Sequence, residues 1–307
     1  MKIGVLGAGA LGCAMGGVLT EAGHEVWLIN RNPAQVEAMT SRGLVLRDNG
    51  VDRTVAVKAA TTAAPVGVVD LVVVLVKSFH TRQAMEASRS LVGPHTLVLS
   101  LQNGLGHEDV LADVVGRGHV LAGKTYVGGT QLAPGHVLAG TRGKDTLVGE
   151  LDGADTERVR AVAQAFTAAG LATTVSTRIL GVMWDKLLIN VSTGALSAIT
   201  RLTYGHLYQV PEIEATALAA VAEAMAVARA AGVTLTFTDP REAWLKASAG
   251  LPFDFKTSML QSLEKGSLTE IDYINGAVVQ WGQRLGVPTP VNQTLVACVK
   301  GLERTLA

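Results

Sequence analysis

A glycine motif near the start of the chain constrains its fold more than any other feature. The motif Gly7-Ala8-Gly9-Ala10-Leu11-Gly12 follows an apolar run at residues 2–6 and opens a helical pattern. In that setting the first glycine permits a tight turn, the second lets a pyrophosphate approach the backbone, and the third allows close helix–strand contact. The sequence therefore predicts a strand–turn–helix unit that binds a dinucleotide at the helix N-terminus, with a purely structural glycine turn as the alternative.

Short β-branched runs alternate with helical patterns over residues 1–177, which predicts a Rossmann-type doubly wound α/β domain. The run at residues 71–76 is apolar throughout, as expected for a strand buried under helices on both faces. A Pro134-Gly135 turn within residues 119–150 indicates antiparallel strands that extend the sheet. The predicted strands are 2–6, 25–30, 70–77, 96–102 and 171–175, and the predicted helices are 10–22, 33–41 and 155–169.

Strand signals nearly vanish after Ser176, and helical periodicity takes over. The sequence therefore predicts two domains, a dinucleotide-binding domain at residues 1–176 and an all-helical substrate and catalytic domain at residues 177–307. The predicted helices of the second domain are 179–199, 212–231, 241–249, 257–265, 269–285 and 292–306.

The end of the second strand recognises the ribose in folds of this kind, and it lies roughly twenty residues after the glycines. Sites that prefer NAD carry a carboxylate there, whereas this chain has Asn30-Arg31-Asn32. Glu25 is acidic but precedes the apolar run. The guanidinium of Arg31 suits a 2′-phosphate, so we predict that NADPH is favoured over NADH, with an ordinary solvated arginine as the alternative.

Two polar residues follow neighbouring predicted strands, Lys77 after one and Asn103 after the next. The carboxyl edge of an open α/β sheet is where ligands bind, so the two together favour a binding role. Each has a second interpretation: the stem of Lys77 can cover apolar surface while its ammonium stays in water, and Asn103 before Gly104 can be a turn residue.

Lys186 and Asn190 stand four residues apart in an apolar helical segment, so they share one helix face. Polar groups in such a setting need partners, and a bound ligand would supply one. A purely structural ion pair between Lys186 and an acid such as Glu270 is the other interpretation.

The composition argues against several classes of partner. A formal net charge of zero gives no bulk attraction to nucleic acid or to an anionic membrane. The longest apolar stretch, residues 215–231, contains Glu223 and Arg229 and is expected to be a packed helix. Cys13 and Cys298 lie in apolar helical contexts, which predicts buried, reduced thiols with no metal pair and suits the cytoplasm.

Six segments stand in order along essentially the whole chain: Gly7-Ala8-Gly9-Ala10-Leu11-Gly12, Asn30-Arg31, Gln102-Asn103-Gly104, Lys186-Leu187-Leu188-Ile189-Asn190, Ser258-Met259-Leu260-Gln261 and Thr269-Glu270-Ile271-Asp272-Tyr273-Ile274-Asn275-Gly276. Together they resemble the ketopantoate reductase (2-dehydropantoate 2-reductase) family. The last segment is far more specific than the glycine motif.

The resemblance implies NADPH-dependent reduction of 2-dehydropantoate to pantoate, a step of pantothenate biosynthesis. Hydride passes to the carbonyl carbon of the 2-keto acid, while Lys186 stabilises the oxyanion and donates the proton to it. Glu270 orients Lys186. The implied cofactor-binding residues are Gly7, Ala8, Gly9, Ala10, Leu11, Gly12, Arg31, Lys77 and Asn103, and the implied substrate-binding residues are Asn190, Ser258, Asn103 and Gly194.

The chain departs from the family pattern at two substrate-side positions. Gly194 stands where the family usually has an asparagine, and Tyr204 aligns with another. Losing such donors weakens recognition of a substrate hydroxyl. The departures favour, as alternatives, a paralogue that reduces another 2-keto acid or a bulkier ketone in space vacated at Gly194, or a non-catalytic NADP(H)-binding sensor. The resemblance also leaves a homodimer open.

Overall fold

The computed structural model describes residues 1–306, which divide into two compact units. The first comprises Met1–Gln102 and His107–Ile179, and the second comprises Asn103–Gly106 and residues 180–306. The sequence placed Asn103–Gly106 in the first domain, but this short loop clusters with the helical unit. The physical reason is backbone contact, because the amide of Leu105 donates a hydrogen bond to the carbonyl of Tyr273 (3.0 Å).

The first unit is the predicted doubly wound α/β domain. Its strands are β1 (Lys2–Leu6), β2 (Glu25–Ile29), β3 (Leu44–Asp48), β4 (Val51–Val55), β5 (Lys58–Ala60), β6 (Leu71–Val74), β7 (Leu97–Ser100), β8 (Val120–Thr125), β9 (Gly128–Ala133), β10 (His136–Gly140), β11 (Thr146–Glu150) and β12 (Thr173–Val175). Its helices are α1 (Ala10–Glu21), α2 (Pro33–Arg42), α3 (Thr81–Glu86), α4 (His107–Val115) and α5 (Glu157–Ala168).

Eight strands form the main sheet in the order β12-β11-β8-β7-β6-β1-β2-β5. All neighbours run parallel except β8 and β11. Apolar cores cover both faces, one containing residues of α1 and α5 and the other containing residues of α3 and α4. Double burial explains why β6 is apolar at every position.

The second sheet differs from the expectation for residues 119–150. β8 and β11 do extend the main sheet as an antiparallel pair, but β9 and β10 join β3 and β4 in a separate sheet of order β4-β3-β10-β9. The hairpin packs on α1 instead: a Cβ added to Gly129 would lie 2.8 Å from the carbonyl oxygen of Ala10. Packing against α1 therefore accompanies the pairing of the β9–β10 hairpin with β3 in place of the main sheet.

The second unit is helical, as predicted. Its helices are α6 (Ile179–Thr200), α7 (Tyr204–Leu207), α8 (Pro211–Ala230), α9 (Pro240–Ser248), α10 (Ser258–Glu264), α11 (Asn275–Leu285) and α12 (Pro290–Glu303). The single helix predicted at 269–285 is wrong, because a 3₁₀ turn at Ile271–Tyr273 precedes α11 and Ile274 leaves the helical region (φ −109°, ψ −94°).

One helix within residues 1–306, α6, is long and apolar enough to cross a membrane by length and composition alone. The sequence had singled out residues 215–231 instead. Because 67% of the apolar window of α6 is buried inside the protein, we interpret it as a core helix.

The two cysteines differ in their surroundings. Cys13 on α1 is buried, and burial raises the pKa of its thiol to about 12. Cys298 on α12 is exposed, so the prediction of burial is wrong for this residue. The helical periodicity turns its side chain outward while the next residue, Val299, is buried.

Candidate active site

The glycine loop between β1 and α1 has the geometry that its sequence predicts. Gly7 has φ +104°, and a Cβ there would collide with the backbone amide of Val76. A Cβ on Gly12 would collide with the carbonyl oxygen of Gly7, whereas a Cβ on Gly9 would meet nothing within 4 Å. Thus two of the glycines permit close packing, and the middle one leaves open space at the N-terminus of α1.

The loop is fixed to the end of β2. The amides of Gly7 and Ala8 both donate to the carbonyl oxygen of Ile29 (3.1 and 2.9 Å), and the side-chain amide of Asn30 donates to the carbonyl oxygen of Ala8 (2.6 Å). Gly9, at the N-cap of α1, has no side chain to cap the helix. The first-turn amides of α1 are therefore suited to an anion, as in dinucleotide-binding folds.

Arg31 follows Asn30 and is exposed at the carboxyl edge of the sheet. Within residues 1–306 its guanidinium has no carboxylate within ion-pair distance. It lies near His80, whose pKa is lowered by burial and further by the charge of Arg31. An arginine that is not neutralised by an acid, beside the ribose end of the site, suits a phosphate-bearing ligand.

Lys77 and Asn103 follow β6 and β7, which are parallel neighbours in the sheet. Lys77 is exposed and precedes the 3₁₀ turn Ser78–His80, and Asn103 is half-buried. Both predicted residues therefore follow the carboxyl ends of adjacent strands.

Sequence reasoning missed a polar network at this edge, centred on Gln102. The side-chain amide of Gln102 donates to the carbonyl oxygen of Val76 (2.8 Å) and to the hydroxyl of Thr81 (2.9 Å). Lys124, only 1% exposed, donates from Nζ to the backbone carbonyl of Gln102 (3.1 Å). The network fixes the backbone next to both Lys77 and Asn103. Its only sequence signal is a lysine inside the otherwise apolar or small run of β8.

Two further buried ionisable groups begin α4. Burial raises the pKa of Glu108 to about 7, against the opposing effect of the Lys124 charge. Burial also lowers the pKa of His107 to about 3, and the Lys124 charge acts in the same direction. The interior of the first unit thus holds a charged group beside one that titrates near neutrality.

In the second unit, α6 carries Lys186, Asn190 and Gly194 at intervals of four residues, so the three form one stripe along the helix. Lys186 and Asn190 are half-buried. Gly194 is buried, and a Cβ there would lie 3.3 Å from Cε of Met259. The space expected to be vacated at Gly194 is therefore filled by a methionine side chain, which adapts easily to irregular gaps.

The specific segment at residues 269–276 is bonded to α12 through two of its residues. The amide and hydroxyl of Thr269 donate to Glu303 (2.8 and 2.7 Å), and Asp272 pairs with Lys300 (2.5 Å). These tertiary bonds outweigh the local helical periodicity. Glu270 is half-buried between these anchored residues, at the start of the 3₁₀ turn.

Ser258 is exposed at the first position of α10, and the preceding Thr257 caps that helix by accepting a bond from the Leu260 amide (3.2 Å). Tyr204 is buried, and its hydroxyl lies 3.1 Å from that of Thr193 on α6. The segments that contain Lys186, Asn190, Ser258 and Glu270 thus all belong to the helical unit.

Comparisons with known proteins identify the relatives of this chain. The family described as "Ketopantoate reductase PanE/ApbA" matches residues 3–153, and its C-terminal part matches residues 178–303. A 2-dehydropantoate 2-reductase of Halobacterium salinarum is 35% identical over 99% of both chains. The crystal structure of a PanE/ApbA family ketopantoate reductase from Ralstonia eutropha JMP134 is 37% identical with a TM-score of 0.91, and the match covers 100% of this chain and 99% of that one.

A D-mandelate dehydrogenase solved with NADH and anilino(oxo)acetate also has a TM-score of 0.91, at 27% identity over 100% of this chain and 99% of its own. Fold, glycine loop and relatives together define a nicotinamide-dependent oxidoreductase that acts on CH–OH groups. The chain belongs to the ketopantoate reductase family.

Proposed function

We propose that this protein reduces the carbonyl group of a 2-keto acid with hydride from NADPH, and that the first candidate reaction is 2-dehydropantoate to pantoate, in pantothenate biosynthesis. The observation that carries the proposal is the stripe on α6, where Lys186 and Asn190 stand half-buried one turn apart. The names of the relatives support the substrate.

The first unit supplies the proposed coenzyme site except for Asn103, which belongs to the second unit. The backbone from Gly7 to Gly12, including Ala8, Ala10 and Leu11, would hold the pyrophosphate, and Arg31 would bind the 2′-phosphate. Lys77 and Asn103 would contact the coenzyme further along the sheet edge. When bound, the nicotinamide supplies the hydride. The open space at Gly9 and the Arg31 guanidinium support this assignment.

The helical unit supplies the proposed acid. As the carbonyl carbon accepts hydride, the electron pair of the C=O bond moves to oxygen, and the Lys186 ammonium stabilises that charge and transfers a proton to it. Glu270 would keep Lys186 protonated and oriented. Asn190 would hydrogen-bond the substrate, Ser258 would hold its carboxylate, and Lys186 would be reprotonated from water between turnovers.

Oxidation of NADPH by the purified protein with 2-dehydropantoate tests this assignment. Lys186→Ala should lower kcat by about 100-fold or more, since a positioned general acid contributes on that scale. Lys246→Ala, which removes an exposed lysine of α9, is the matched control and should leave the rate unchanged. Full activity in Lys186→Ala would exclude it as the proton donor.

A second candidate is reduction of a different 2-keto acid or a bulkier ketone. It is supported by the D-mandelate dehydrogenase, whose structure contains NADH and anilino(oxo)acetate, an oxo acid derivative with an aromatic group. It is also supported by Gly194 and Tyr204, which provide no side-chain amide to bind a substrate hydroxyl.

Compartment and assembly are further parts of the proposal. Neither Cys13 nor Cys298 is in a disulfide, which supports a reducing compartment such as the cytoplasm. A homodimer is proposed on the family resemblance, and light scattering coupled to size-exclusion chromatography measures it directly.

A further inference from the structure

The carboxyl ends of three neighbouring strands meet at one place on the main sheet. β1 lies between β2 and β6 and runs parallel to both, with Leu6 opposite Ile29 on one side and opposite Val74 on the other. The amide of Gly7 donates to the carbonyl oxygen of Ile29 (3.1 Å), and a Cβ on Gly7 would lie 2.4 Å from the amide nitrogen of Val76. The segments that follow β2 and β6 therefore flank the glycine loop.

Each flanking segment carries a side chain whose nitrogen atoms suit an anion. Arg31 follows β2, and His80 ends the 3₁₀ turn after β6. The charge of Arg31 acts on the imidazole of His80, so the two side chains are neighbours. Among the residues that the structure describes, 1–306, no carboxylate lies within ion-pair distance of either one. A bound anion would therefore meet two such groups, neither of which is paired with an acid.

The turn that carries His80 is held by hydrogen bonds from side chains. The hydroxyl of Thr81 donates to the carbonyl oxygen of Ser78 (2.8 Å), and the side-chain amide of Gln102 donates to the hydroxyl of Thr81 (2.9 Å). Ser78 and Thr81 are both buried. The imidazole of His80 is half-buried and meets the ring of Phe79 edge to face, with centroids 4.6 Å apart. The fold thus gives the imidazole a defined place at the edge of the sheet.

The protonation of His80 should respond to an anion at this place. Burial lowers the pKa of His80, and the charge of Arg31 lowers it further, so the imidazole is mainly neutral at neutral pH. The turn and the helices beside it carry four other charged side chains: Lys77, Arg82, Glu86 and Asp113. Arg82 pairs with Asp113 (2.8 Å) and Glu86 (4.0 Å). A phosphate dianion next to His80 would favour the imidazolium, so proton and phosphate would each strengthen the binding of the other.

We propose that His80 is a second ligand of the coenzyme 2′-phosphate, across the glycine loop from Arg31, and that it binds as the imidazolium, so that the preference for NADPH over NADH increases as the pH falls. The inference rests on the proposed function, because it assumes that Arg31 holds the same phosphate. The 2′-hydroxyl of NADH carries no charge, so it gains little from the imidazolium.

The proton resonances of the imidazole test the proposal without turnover. The resonance of His80 is the one that is absent from His80→Gln. It should titrate at lower pH than that of an exposed histidine, and saturation with ADP-ribose 2′-phosphate should move its midpoint to higher pH. ADP-ribose, which lacks the 2′-phosphate, should move it less. An unchanged midpoint with the phosphorylated probe, or an equal rise with both probes, would overturn the proposal.

The ratio of kcat/KM for NADPH to that for NADH, measured at several pH values, gives a second test. Because the phosphate itself titrates near pH 6, the ratio in the parent protein is divided by the ratio in His80→Gln, where the phosphate remains and the imidazolium is lost. The quotient should increase by about fivefold to tenfold as the pH falls from about 8.5 to about 6, the scale of one charge-assisted hydrogen bond. A quotient that stays constant would overturn the role of His80.

His95→Gln is the matched control. His95 is exposed just before β7, at the amino end of the sheet, so its variant should keep the coenzyme ratio and the pH dependence of the parent protein. Thermal melting checks that both variants are folded. A constant quotient in a protein that still prefers NADPH would remove His80 and leave the proposed function standing. Equal kcat/KM for both coenzymes at every pH would contradict the proposed NADPH preference and this inference together.

Discussion

Arg31 and Lys124 are both cationic, yet only one of them was accessible to sequence reasoning. Arg31 stands at a position fixed by its distance from the glycines, so the pattern alone predicts it as a ligand of the 2′-phosphate. Lys124 lies inside a strand, and its role depends on which carbonyl the fold brings to its ammonium, here that of Gln102. A residue such as Arg31 can be predicted from its spacing along the chain. The contact of a residue such as Lys124 can be predicted only when the register of the neighbouring strands is known.

Arg31→Ala should lower the ratio of kcat/KM for NADPH to that for NADH by about tenfold to a hundredfold. The physical reason is the loss of charge-assisted hydrogen bonds to the 2′-phosphate, worth roughly 1.5–3 kcal/mol. Initial rates with each coenzyme measure the ratio. Arg42→Ala, another exposed arginine at the end of α2, is the control and should not change it. An unaltered ratio in Arg31→Ala would make Arg31 an ordinary solvated arginine.

Most elements could be predicted from periodicity, and the exceptions have tertiary causes. β1, α1 and α2 begin and end within one residue of their predicted bounds. Their buried faces give the apolar residues the period of a strand or of a helix, so the sequence shows these elements. The hairpin β9–β10 was predicted as antiparallel strands but assigned to the wrong sheet, since the pattern does not contain its contact with α1. Likewise, the bonds from Thr269 and Asp272 to α12 interrupt a helix that local periodicity favours.

Adjacent glycines in β9 provide a test of the contact between hairpin and helix. Gly129→Ala places a methyl group about 2.8 Å from the backbone of Ala10 and should reduce the free energy of unfolding by about 1–3 kcal/mol, the usual cost of overpacking. Gly128→Ala is the control, because a Cβ there meets nothing within 4 Å. Urea titration measures both. Equal effects would show that β9 moves freely away from α1.

At the scale of the whole molecule, the sequence predicted an α/β unit followed by a helical one, and the fold class is confirmed. The order of elements along the chain predicts the fold class. The alternation of strand and helix patterns, and its end after Ser176, can be read from the sequence without knowledge of tertiary contacts. The loop Asn103–Gly106 clusters with the helical unit through the Tyr273 backbone, which no local pattern indicates. The burial of His107 and Glu108 could not be predicted from the sequence either, since an acidic residue at the start of a helix usually lies in solvent.

Glu108 should give the stability of the whole chain a pH dependence. Burial raises its pKa from 4.5 to about 7, so the fold favours the protonated acid. This contribution is fully present below pH 4.5 and is lost as pH rises through about 7. Glu108→Gln removes the ionisation, so its free energy of unfolding relative to the parent protein should rise by about 3 kcal/mol from pH 4.5 to pH 8.

Urea titrations at several pH values measure that difference. Glu37→Gln, at an exposed glutamate of α2, is the control and should show no such trend. A difference for Glu108→Gln that stays flat across this range would mean that Glu108 is ionised in the fold throughout, balanced by the Lys124 charge.

The contrast between the two cysteines has a practical consequence. Maleimides attack the thiolate, which Cys13 does not form at neutral pH because its pKa is about 12 and it is enclosed by α1 and its neighbours. Cys298 is on the surface of α12. A fluorophore should therefore attach at one known point without any engineered substitution, and the native chain can be immobilised or tracked in single-molecule experiments through its helical unit.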